Sequence, residues 1–437
     1  MRSDEIRDAG GFAGHALGDI TTAVRDTHVA VAGRIFGLLG SAGAPIKLLH
    51  DSISTVAYIS TRLGLTYGPQ AAGLLAEALG HGSDESMHDR PRARLAIGAI
   101  NGVLGDQIAD EHPALAPELR LRHHAGPLRR LPVNLAHDAD ERATGRIVVF
   151  LHGLCETDLC WSYSAVKRWG DGTVTYGSKL RDDDGWTPLY ANFNTGLHIS
   201  ANGRELSDQL TGLVEAWPVK VTEIALVGHS LGGLVARSAA HQGHEDGMRW
   251  TKLLRHVVGL GTPHHGAPLE RFANWGAQHL ARLPETRAVA GLIHRRSVGI
   301  KDLRHGSMLE ADWLDWHPND PQNRVTEAPL IPGVAYSMAS ATLSRRTEGL
   351  FAMDLLVQHS SAHGKGKSRT IPFDAARTHH IGGGKHHFDL LADATIYTAM
   401  RGWLAGADGA GRSNEDTAAT RRENRRTGRT RQQHRAG

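Results

Sequence analysis

Residues 223–233 read Glu-Ile-Ala-Leu-Val-Gly-His-Ser-Leu-Gly-Gly, the pattern of a strand followed by a tight turn and the start of a helix. Glu223–Gly228 is an apolar run after the opening acid, which favours a strand buried on both faces. A helix-compatible run begins at Leu231 and continues to Ala240. Ser230 therefore stands at a sharp turn from a strand to a helix. A turn of this kind lifts a nucleophilic serine hydroxyl above a sheet.

Other apolar runs alternate with helical patterns, which predicts a doubly wound, mostly parallel sheet flanked by helices. A continuous apolar run at Arg146–Leu151 predicts the first strong strand. The remaining strand candidates are Leu189–Phe193, His256–Gly261, Pro329–Ser337 and Arg377–Gly382, and the helix candidates include Gly203–Trp217 and Ala392–Leu404. The fold class is therefore α/β.

The turn at Ser230 has the pattern G-x-S-x-G, which supports a role for this serine as a nucleophile. Gly228 and Gly232 flank the serine, where larger side chains would block the close approach of strand and helix. The helix N-terminus that begins at the serine also favours negative charge developing there. We therefore expect Ser230 to be the catalytic nucleophile.

An acid and a base should follow such a serine in the order Ser, Asp or Glu, His. Asp354 is the candidate acid. His387 is the candidate base, because it lies in a loop between the last strand and the last helix, where its ring could reach both the hydroxyl and the carboxylate. Asp374 and Asp389 remain alternatives for the acid, and His386 for the base.

The loop after the first strong strand is the candidate oxyanion site. His152 and Gly153 follow that strand directly. In enzymes with this kind of turn, one backbone N–H comes from this loop and another from the residue after the nucleophile. The expected donors are the N–H groups of Leu154 and Leu231.

Five motifs in this order resemble the bacterial lipase/esterase branch of the α/β-hydrolases, which is related to lipases with a GPI-inositol-deacylase-like domain. The motifs are FLHGL, GHSLGG, GTPHHGAPLER, MDLLVQHSSA and HHFDLL, all within residues 146–404. The resemblance implies an α/β-hydrolase fold and hydrolysis of carboxylic esters through an acyl-enzyme, with no organic cofactor. It places the nucleophile on Ser230, the acid on Asp354, the base on His387 and the oxyanion donors on Leu154 and Leu231.

Two positions depart from the pattern of similar family members. They often have glycine directly after the aspartate, where this chain has Leu355. They often have asparagine or glycine before the histidine, where this chain has His386. Neither departure removes a reacting group.

Apolar residues recur at near-helical spacing between positions 20 and 90, which predicts helices. Gly40, Gly43 and Pro45 are expected to separate a first helix from a second, and Leu63–Leu79 is expected to be a third. The division of the chain is accordingly predicted as a helical extension at 1–95, an α/β-hydrolase catalytic domain at 96–404 in which 268–326 could form a cap or lid, and a disordered basic tail at 405–437.

Three other functions remain open at this stage. The same triad could transfer the acyl group to an alcohol or amine other than water. The fold could be a catalytically silent binding module. The histidine pairs His264-His265, His379-His380 and His386-His387 could serve metal-dependent hydrolysis, although the HExxH zinc pattern is absent from the sequence.

Composition limits the partners. The formal charge of +3 over 437 residues is small, and outside the arginine-rich tail nothing resembles a nucleic-acid motif. An ester or lipid substrate is therefore expected, and nucleic acid is not. The N-terminal helices could contact a lipid or polymer surface.

Because the sequence has neither a secretory leader pattern nor about 20 successive apolar residues, a cytoplasmic location is expected. Cys155 and Cys160 are expected to be free thiols.

Overall fold

The apolar runs of the sequence form one seven-stranded sheet. The computed structural model describes residues 1–38, 44–123, 143–267, 295–314, 325–345, 353–366 and 369–406. The strands are β1 (Arg120–Arg122), β2 (Arg146–Leu151), β3 (Thr187–Asn192), β4 (Glu223–His229), β5 (Leu254–Leu260), β6 (Ala335–Ala341) and β7 (Thr378–Ile381). The helices are α1 (Ser3–Leu38), α2 (Ala44–Ala78), α3 (Pro91–Glu111), α4 (Ala165–Trp169), α5 (Tyr176–Asp184), α6 (Ile199–Ala216), α7 (Leu231–Glu245), α8 (Val298–Asp302), α9 (His359–Ala362) and α10 (Ala394–Ala405).

The strand order is β1-β3-β2-β4-β5-β6-β7. β1 pairs antiparallel with β3, and every other neighbouring pair is parallel. The chain leaves β2 for β3 on one side and later builds β4 on the other side. The carboxyl ends of β2 and β4 therefore flank the switch point at which ligands bind in open α/β sheets.

Both faces of the sheet are buried, because the strand side chains alternate between two cores. On β2, Ile147 and Val149 belong to a core that includes residues of α6 and α7. Val148 and Phe150 belong to the opposite core, which includes residues of α5 and α10. Continuous apolar strands of this kind are what a parallel sheet covered by helices requires.

α1 and α2 pack against each other as an antiparallel hairpin. A Cβ on Gly10 or Gly14 would collide with a backbone carbonyl of α2, so the two backbones approach closely there. Further along, the His28 ring lies 5.0 Å from the His50 ring. Among the described side chains between residues 24 and 59, the exposed large apolar ones are Val24, Val29, Val31, Ile35, Ile46, Leu48, Leu49, Ile53, Val56 and Ile59.

α3 packs on the loop that follows β2 through a face of glycines. A Cβ on Gly98 would lie 2.9 Å from the Glu156 carbonyl oxygen, and one on Gly102 would lie 2.8 Å from the Cys155 Cα. Gly105 meets the Asn194 side chain in the same way. Near the start of α3, the buried Arg94 guanidinium lies 3.4 Å from the buried Asp158 carboxylate. These contacts fix the position of the loop against α3.

Two predictions about elements are wrong, and one helix was not predicted. The second and third N-terminal helices are one helix, α2, which includes Pro45, whereas Gly40 and Gly43 lie outside the described residues. The strand predicted at Pro329–Ser337 begins at Ala335 instead, because two prolines in its first half cannot donate to a sheet ladder. α3 was not predicted, and the boundary proposed after residue 95 falls within it.

Two other predictions concern segments that lie mostly outside the described residues. Most of the proposed cap at 268–326 and nearly all of the tail at 405–437 lie outside them, although α8 lies within the cap segment. Cys155 and Cys160 are free thiols, as predicted. Among the described residues, no helix combines the length and apolar character needed to cross a membrane.

Candidate active site

Ser230 lies between β4 and α7 with a strained backbone. Its φ of 52° and ψ of −123° are rare for a residue with a side chain. A Cβ on Gly228 would collide with the backbone of Gly232 and Gly233, and one on Gly232 with the carbonyls of Leu151 and His152. Glycine is therefore required on both sides of the serine.

Ser230 lies at the switch point. Its backbone N–H donates to the carbonyl of Leu260 at 2.8 Å, which anchors the turn to β5. The residue is only 8% exposed. α7 begins at Leu231, whose N–H follows the serine directly and has no acceptor among the described residues.

Asp354 and His387 form a buried hydrogen-bonded pair. His387 Nδ1 lies 2.7 Å from Asp354 Oδ2, and the exposed fractions are 2% and 1%. The other carboxylate oxygen, Oδ1, accepts the N–H groups of Leu356 at 3.0 Å and Val357 at 2.8 Å. The His387 N–H also donates to the Asp354 carbonyl at 3.0 Å. The carboxylate is thus fixed from both sides and holds the imidazole in one orientation.

The other ring nitrogen of His387, Nε2, is not used by Asp354. Nε2 is buried and has no hydrogen-bond partner among the described residues. The ring lies 4.5 Å from the ring of His229, the residue before Ser230. A Cβ on Gly261 would lie 2.8 Å from His387 Cε1, directly after the Leu260 carbonyl that binds Ser230. Ser230 therefore makes no hydrogen bond to His387 Nε2 in this structure. Hydrogen bonds between a base and its nucleophile are often long in unliganded structures and shorten on substrate binding.

The alternative acids and base have other partners. Asp374 accepts the N–H of Ala376 at 2.9 Å on the surface. Asp389 accepts from the guanidinium of Arg168 at 2.9 Å and from the N–H of His386 at 3.0 Å. Neither of these carboxylates occupies the position on His387 Nδ1 that Asp354 fills.

The loop after β2 passes next to Ser230. A Cβ on Gly153 would lie 2.9 Å from the Cβ of Ser230, so the loop touches the nucleophile. Gly153 N–H donates to Glu156 Oε2 at 2.6 Å, and Cys155 N–H donates to Thr195 Oγ1 at 3.2 Å. The Leu154 N–H between them has no acceptor among the described residues. It is available for a ligand oxygen.

A buried Glu156–His229 pair lies behind this loop and was not predicted from the sequence. His229 Nδ1 lies 3.0 Å from Glu156 Oε2, and His229 Nε2 lies 3.3 Å from the His387 carbonyl. The pair therefore links the loop after β2, the turn of the nucleophile and the loop of the candidate base. Both residues stand inside motifs, HGLCE and GHSLGG, but no spacing in those motifs indicates that they are partners.

Burial and mutual attraction have opposite effects on the pKa values of Glu156 and His229. Burial disfavours the charged form of Glu156, but the His229 ring and the Gly153 N–H more than offset this and lower its pKa to about 2. Burial also lowers the pKa of His229, yet the Glu156 carboxylate outweighs it and the net pKa is raised. The neighbouring His152 is different, since burial lowers its pKa to about 4 and its Nε2 accepts the Phe193 N–H at 3.3 Å. His152 is therefore neutral near pH 7.

A second cluster surrounds the hydroxyl of Ser340 on β6 and supports the loop of Asp354. Ser340 Oγ lies 2.9 Å from His359 Nδ1, 2.8 Å from His363 Nε2 and 3.0 Å from His380 Nδ1. A hydroxyl can donate one hydrogen bond and accept two, so it can serve all three neutral rings. We call these four residues the Ser340 cluster. It ties α9, which closely follows Asp354, to β6 and β7.

The histidine pairs that suggested a metal alternative have separate partners. His264 Nδ1 lies 3.2 Å from a nitrogen of the Arg237 guanidinium, a cation that opposes metal binding. His380 belongs to the Ser340 cluster, and His386 lies 3.5 Å from an oxygen of Asp389. None of these pairs contributes to a group of three metal-ligating side chains in the described part of the chain.

Residues 142–324 match the PGAP1-like alpha/beta domain family. The match includes Leu154, Ser230 and Leu231, whereas Asp354 and His387 lie beyond its end. The resemblance to GPI-inositol-deacylase-like relatives is confirmed, and the chain has the α/β-hydrolase fold with an N-terminal helical region.

Three solved structures are similar to parts of the chain. Mature lipase BlEst2 of Bacillus licheniformis is 18% identical, with 59% of this chain and 91% of that chain covered and a TM-score of 0.36. A lipase-esterase related protein of Clostridium acetobutylicum is 11% identical, with 66% and 100% covered and a TM-score of 0.34. A thermophilic esterase of Thermogutta terrifontis is 14% identical, with 61% and 91% covered and a TM-score of 0.32. No curated protein matches the chain.

Proposed function

We infer that this α/β-hydrolase, with its PGAP1-like alpha/beta domain, cleaves carboxylic esters through Ser230, His387 and Asp354. The observation that carries the proposal is the buried Asp354–His387 pair, whose second ring nitrogen is left without a described partner beside the strained turn of Ser230. Such a nitrogen can accept the proton of a serine hydroxyl during attack on a carbonyl carbon.

The reaction proceeds in two halves. In the first, Ser230 Oγ attacks the ester carbonyl while His387 Nε2 takes the hydroxyl proton. Asp354 keeps the proton on Nδ1 and stabilises the charged ring. The tetrahedral intermediate then collapses, and His387 returns the proton to the departing alcohol. In the second half, water attacks the acyl-enzyme by the same route and releases the acid.

The oxyanion of each intermediate binds the N–H groups of Leu154 and Leu231. Neither of these two groups has an acceptor among the described residues, and the Leu231 N–H is the first of α7. A donor preorganised in this way lowers the barrier by about 3 kcal/mol in comparable enzymes. The α7 N-terminus adds to the stabilisation of negative charge.

The proposal extends to a lipid ester as substrate and to a lipid surface as the partner of the α1–α2 hairpin. Its support is the row of exposed apolar side chains between residues 24 and 59. Residues 24–62 also carry three arginines and one lysine against two aspartates, which suits a surface with anionic lipids.

The test is hydrolysis of p-nitrophenyl esters of increasing acyl length by the wild type and by Ser230→Ala. We expect kcat to fall by about four orders of magnitude or more in Ser230→Ala, because the nucleophile acts as a unit with its base. Ser164→Ala is the matched control, since Ser164 also has a positive φ, of 54°, and its side chain caps no helix. The acyl length with the highest kcat/KM separates an esterase from a lipase.

Other outcomes separate the alternatives. Equal activity of wild type and Ser230→Ala would refute the triad. Product analysis with an added alcohol separates hydrolysis from acyl transfer, because transfer yields a new ester. If the wild type is inactive and a serine-directed phosphonate fails to label Ser230, the fold acts as a binding module instead.

A further inference from the structure

Three metal-ligating side chains meet where α1 passes the carboxyl end of α3. His15 comes from α1, Glu111 is the last residue of α3, and His112 follows it directly. His15 Nδ1 lies 3.0 Å from Glu111 Oε2 and 3.3 Å from His112 Nε2. All three ligand atoms lie within 4.8 Å of one another. This group is remote from the candidate triad in sequence and is not used by the proposed reaction.

Hydrogen bonding alone does not account for this convergence. A ring nitrogen has a single in-plane direction for a hydrogen or a lone pair, and both contacts of His15 fall on Nδ1. If Nδ1 carries the hydrogen, one donor faces two acceptors. If Nδ1 accepts from His112, its lone pair also faces the carboxylate of Glu111. A cation between the three atoms satisfies all of them at once.

The spacing suits a small transition-metal ion. Zinc binds imidazole nitrogen at about 2.0–2.1 Å and carboxylate oxygen at about 2.0–2.2 Å, so neighbouring ligand atoms of a tetrahedral site lie about 3.3–3.5 Å apart. Two of the three distances between ligand atoms, 3.0 and 3.3 Å, are close to that edge, and the third is no more than 4.8 Å. Two imidazoles and one carboxylate are a donor set that zinc accepts.

One ligand is fixed and the other two can adjust. His112 is 7% exposed, and its ring packs under Gly11, where a Cβ would lie 2.7 Å from Cε1. The side chains of His15 and Glu111 are about half exposed and reach the site from the solvent side. They border a cleft of about 460 Å³, which leaves room for a water molecule as the fourth ligand.

The charges around the cleft permit a cation. Two cations, Arg62 and Arg295, and two carboxylates, Asp19 and Glu111, line it, and Arg295 is ion-paired with Asp19. The formal charges of these four side chains therefore cancel.

We propose that His15, Glu111 and His112 form a zinc site that joins α1 to the end of α3. The site joins the α1–α2 hairpin to the helix whose glycine face supports the loop of Leu154.

The test is metal binding by the full chain after removal of metals with a chelator. We expect the wild type to bind one more Zn²⁺ than His15→Ala in calorimetric titration. We expect Co²⁺ to give the visible absorption of a four-coordinate site in the wild type only. Zn²⁺ should raise the melting temperature of the wild type and leave that of His15→Ala unchanged.

Two further variants define the result. Glu111→Gln should weaken the site at least tenfold, since its amide is a poorer ligand than a carboxylate. The control His81→Ala, which removes an exposed histidine outside the group, should bind like the wild type. Equal zinc stoichiometry and equal Co²⁺ spectra in wild type and His15→Ala would overturn the proposal, as would a wild type that binds no zinc. Because His15 is exposed, its loss leaves the packing of α1 in place.

Discussion

Glu156 is the acceptor on which two parts of the candidate site depend. Its Oε2 accepts the Gly153 N–H at 2.6 Å and lies 3.0 Å from His229 Nδ1. The first contact holds the loop of Leu154, and the second holds the residue that precedes Ser230. Glu156 touches no reacting atom in the proposed mechanism, so it is a positioning residue.

Glu156→Gln is expected to lower kcat by about 10- to 100-fold with KM changed much less. The amide keeps the size of the side chain but not the charge that organises the loop, and small misplacements of oxyanion donors are costly. The pKa of His229, followed by NMR, should fall, because the carboxylate that raises it is gone. Glu215→Gln, at an exposed glutamate, serves as the control. An unchanged kcat would exclude the positioning role.

Leu355 shows what a sequence departure means in the structure. Its φ of 92° lies in the left-handed region, which explains why glycine is common at this position in similar proteins. Ser230, Asp354 and His387 could be chosen from sequence because motifs and chain order single them out. Glu156 could not, because a glutamate two residues after an oxyanion donor has no recognisable spacing to a histidine 73 positions later.

The Ser340 cluster joins α9 to β6 and β7, and the stability that it contributes should depend on pH. Burial lowers the pKa of His359 to about 4 and that of His363 to about 3. Below a pH of about 6.5 the unfolded chain protonates these rings while the folded protein does not. The free energy of unfolding therefore falls as the pH decreases from about 6.5 to 4, by about 1.4 kcal/mol per histidine and pH unit.

His363→Gln should flatten this dependence, because it removes one of the two protons while its amide can still bond to Ser340. Urea unfolding at pH 7, 6 and 5 measures the effect. His81→Gln, at an exposed histidine, should lose stability with falling pH as steeply as the wild type. Parallel slopes for the wild type and His363→Gln would mean that the cluster does not resist protonation.

The elements that were predicted well are those whose buried faces are apolar. β2 and β4 were found within one residue of their ends, since every residue between their termini is buried and nearly all are apolar. α3 was missed for the opposite reason. Its buried residues are Arg94, Ile97, Gly98, Asn101, Gly102, Gly105 and Ile108. Their spacing is helical, but glycines and paired polar groups replace the apolar residues that a hydrophobic pattern detects.

At the scale of the whole molecule, the α1–α2 hairpin should determine binding to lipid. The double variant Leu48→Glu, Ile53→Glu should bind vesicles containing anionic lipid at least 100-fold more weakly than the wild type. Each apolar side chain buried in the interface contributes about 1.5–3 kcal/mol, and 1.4 kcal/mol is a factor of ten in affinity. Cosedimentation with vesicles measures the difference.

Val219→Glu tests whether any exposed apolar residue would have the same effect. Val219 is 41% exposed but lies between α6 and β4, outside the hairpin. This variant should bind vesicles like the wild type. If both variants bind equally well, or if crosslinking to vesicles finds no contact from residues 28–60, the hairpin has another role.

The glycine face of α3 bears on how this protein can be altered in the laboratory. At Gly98 and Gly102 the helix meets the backbone of the loop of Leu154 as well as the side chains of Thr157 and Cys155: an added Cβ would lie 2.9 Å from the Glu156 carbonyl oxygen or 2.8 Å from the Cys155 Cα. Even one methyl group there would have to be accommodated by moving the backbone that presents the oxyanion donor. A library of variants aimed at new substrates should therefore leave α3 untouched, although it contains no residue of the triad and lies outside the matched family domain.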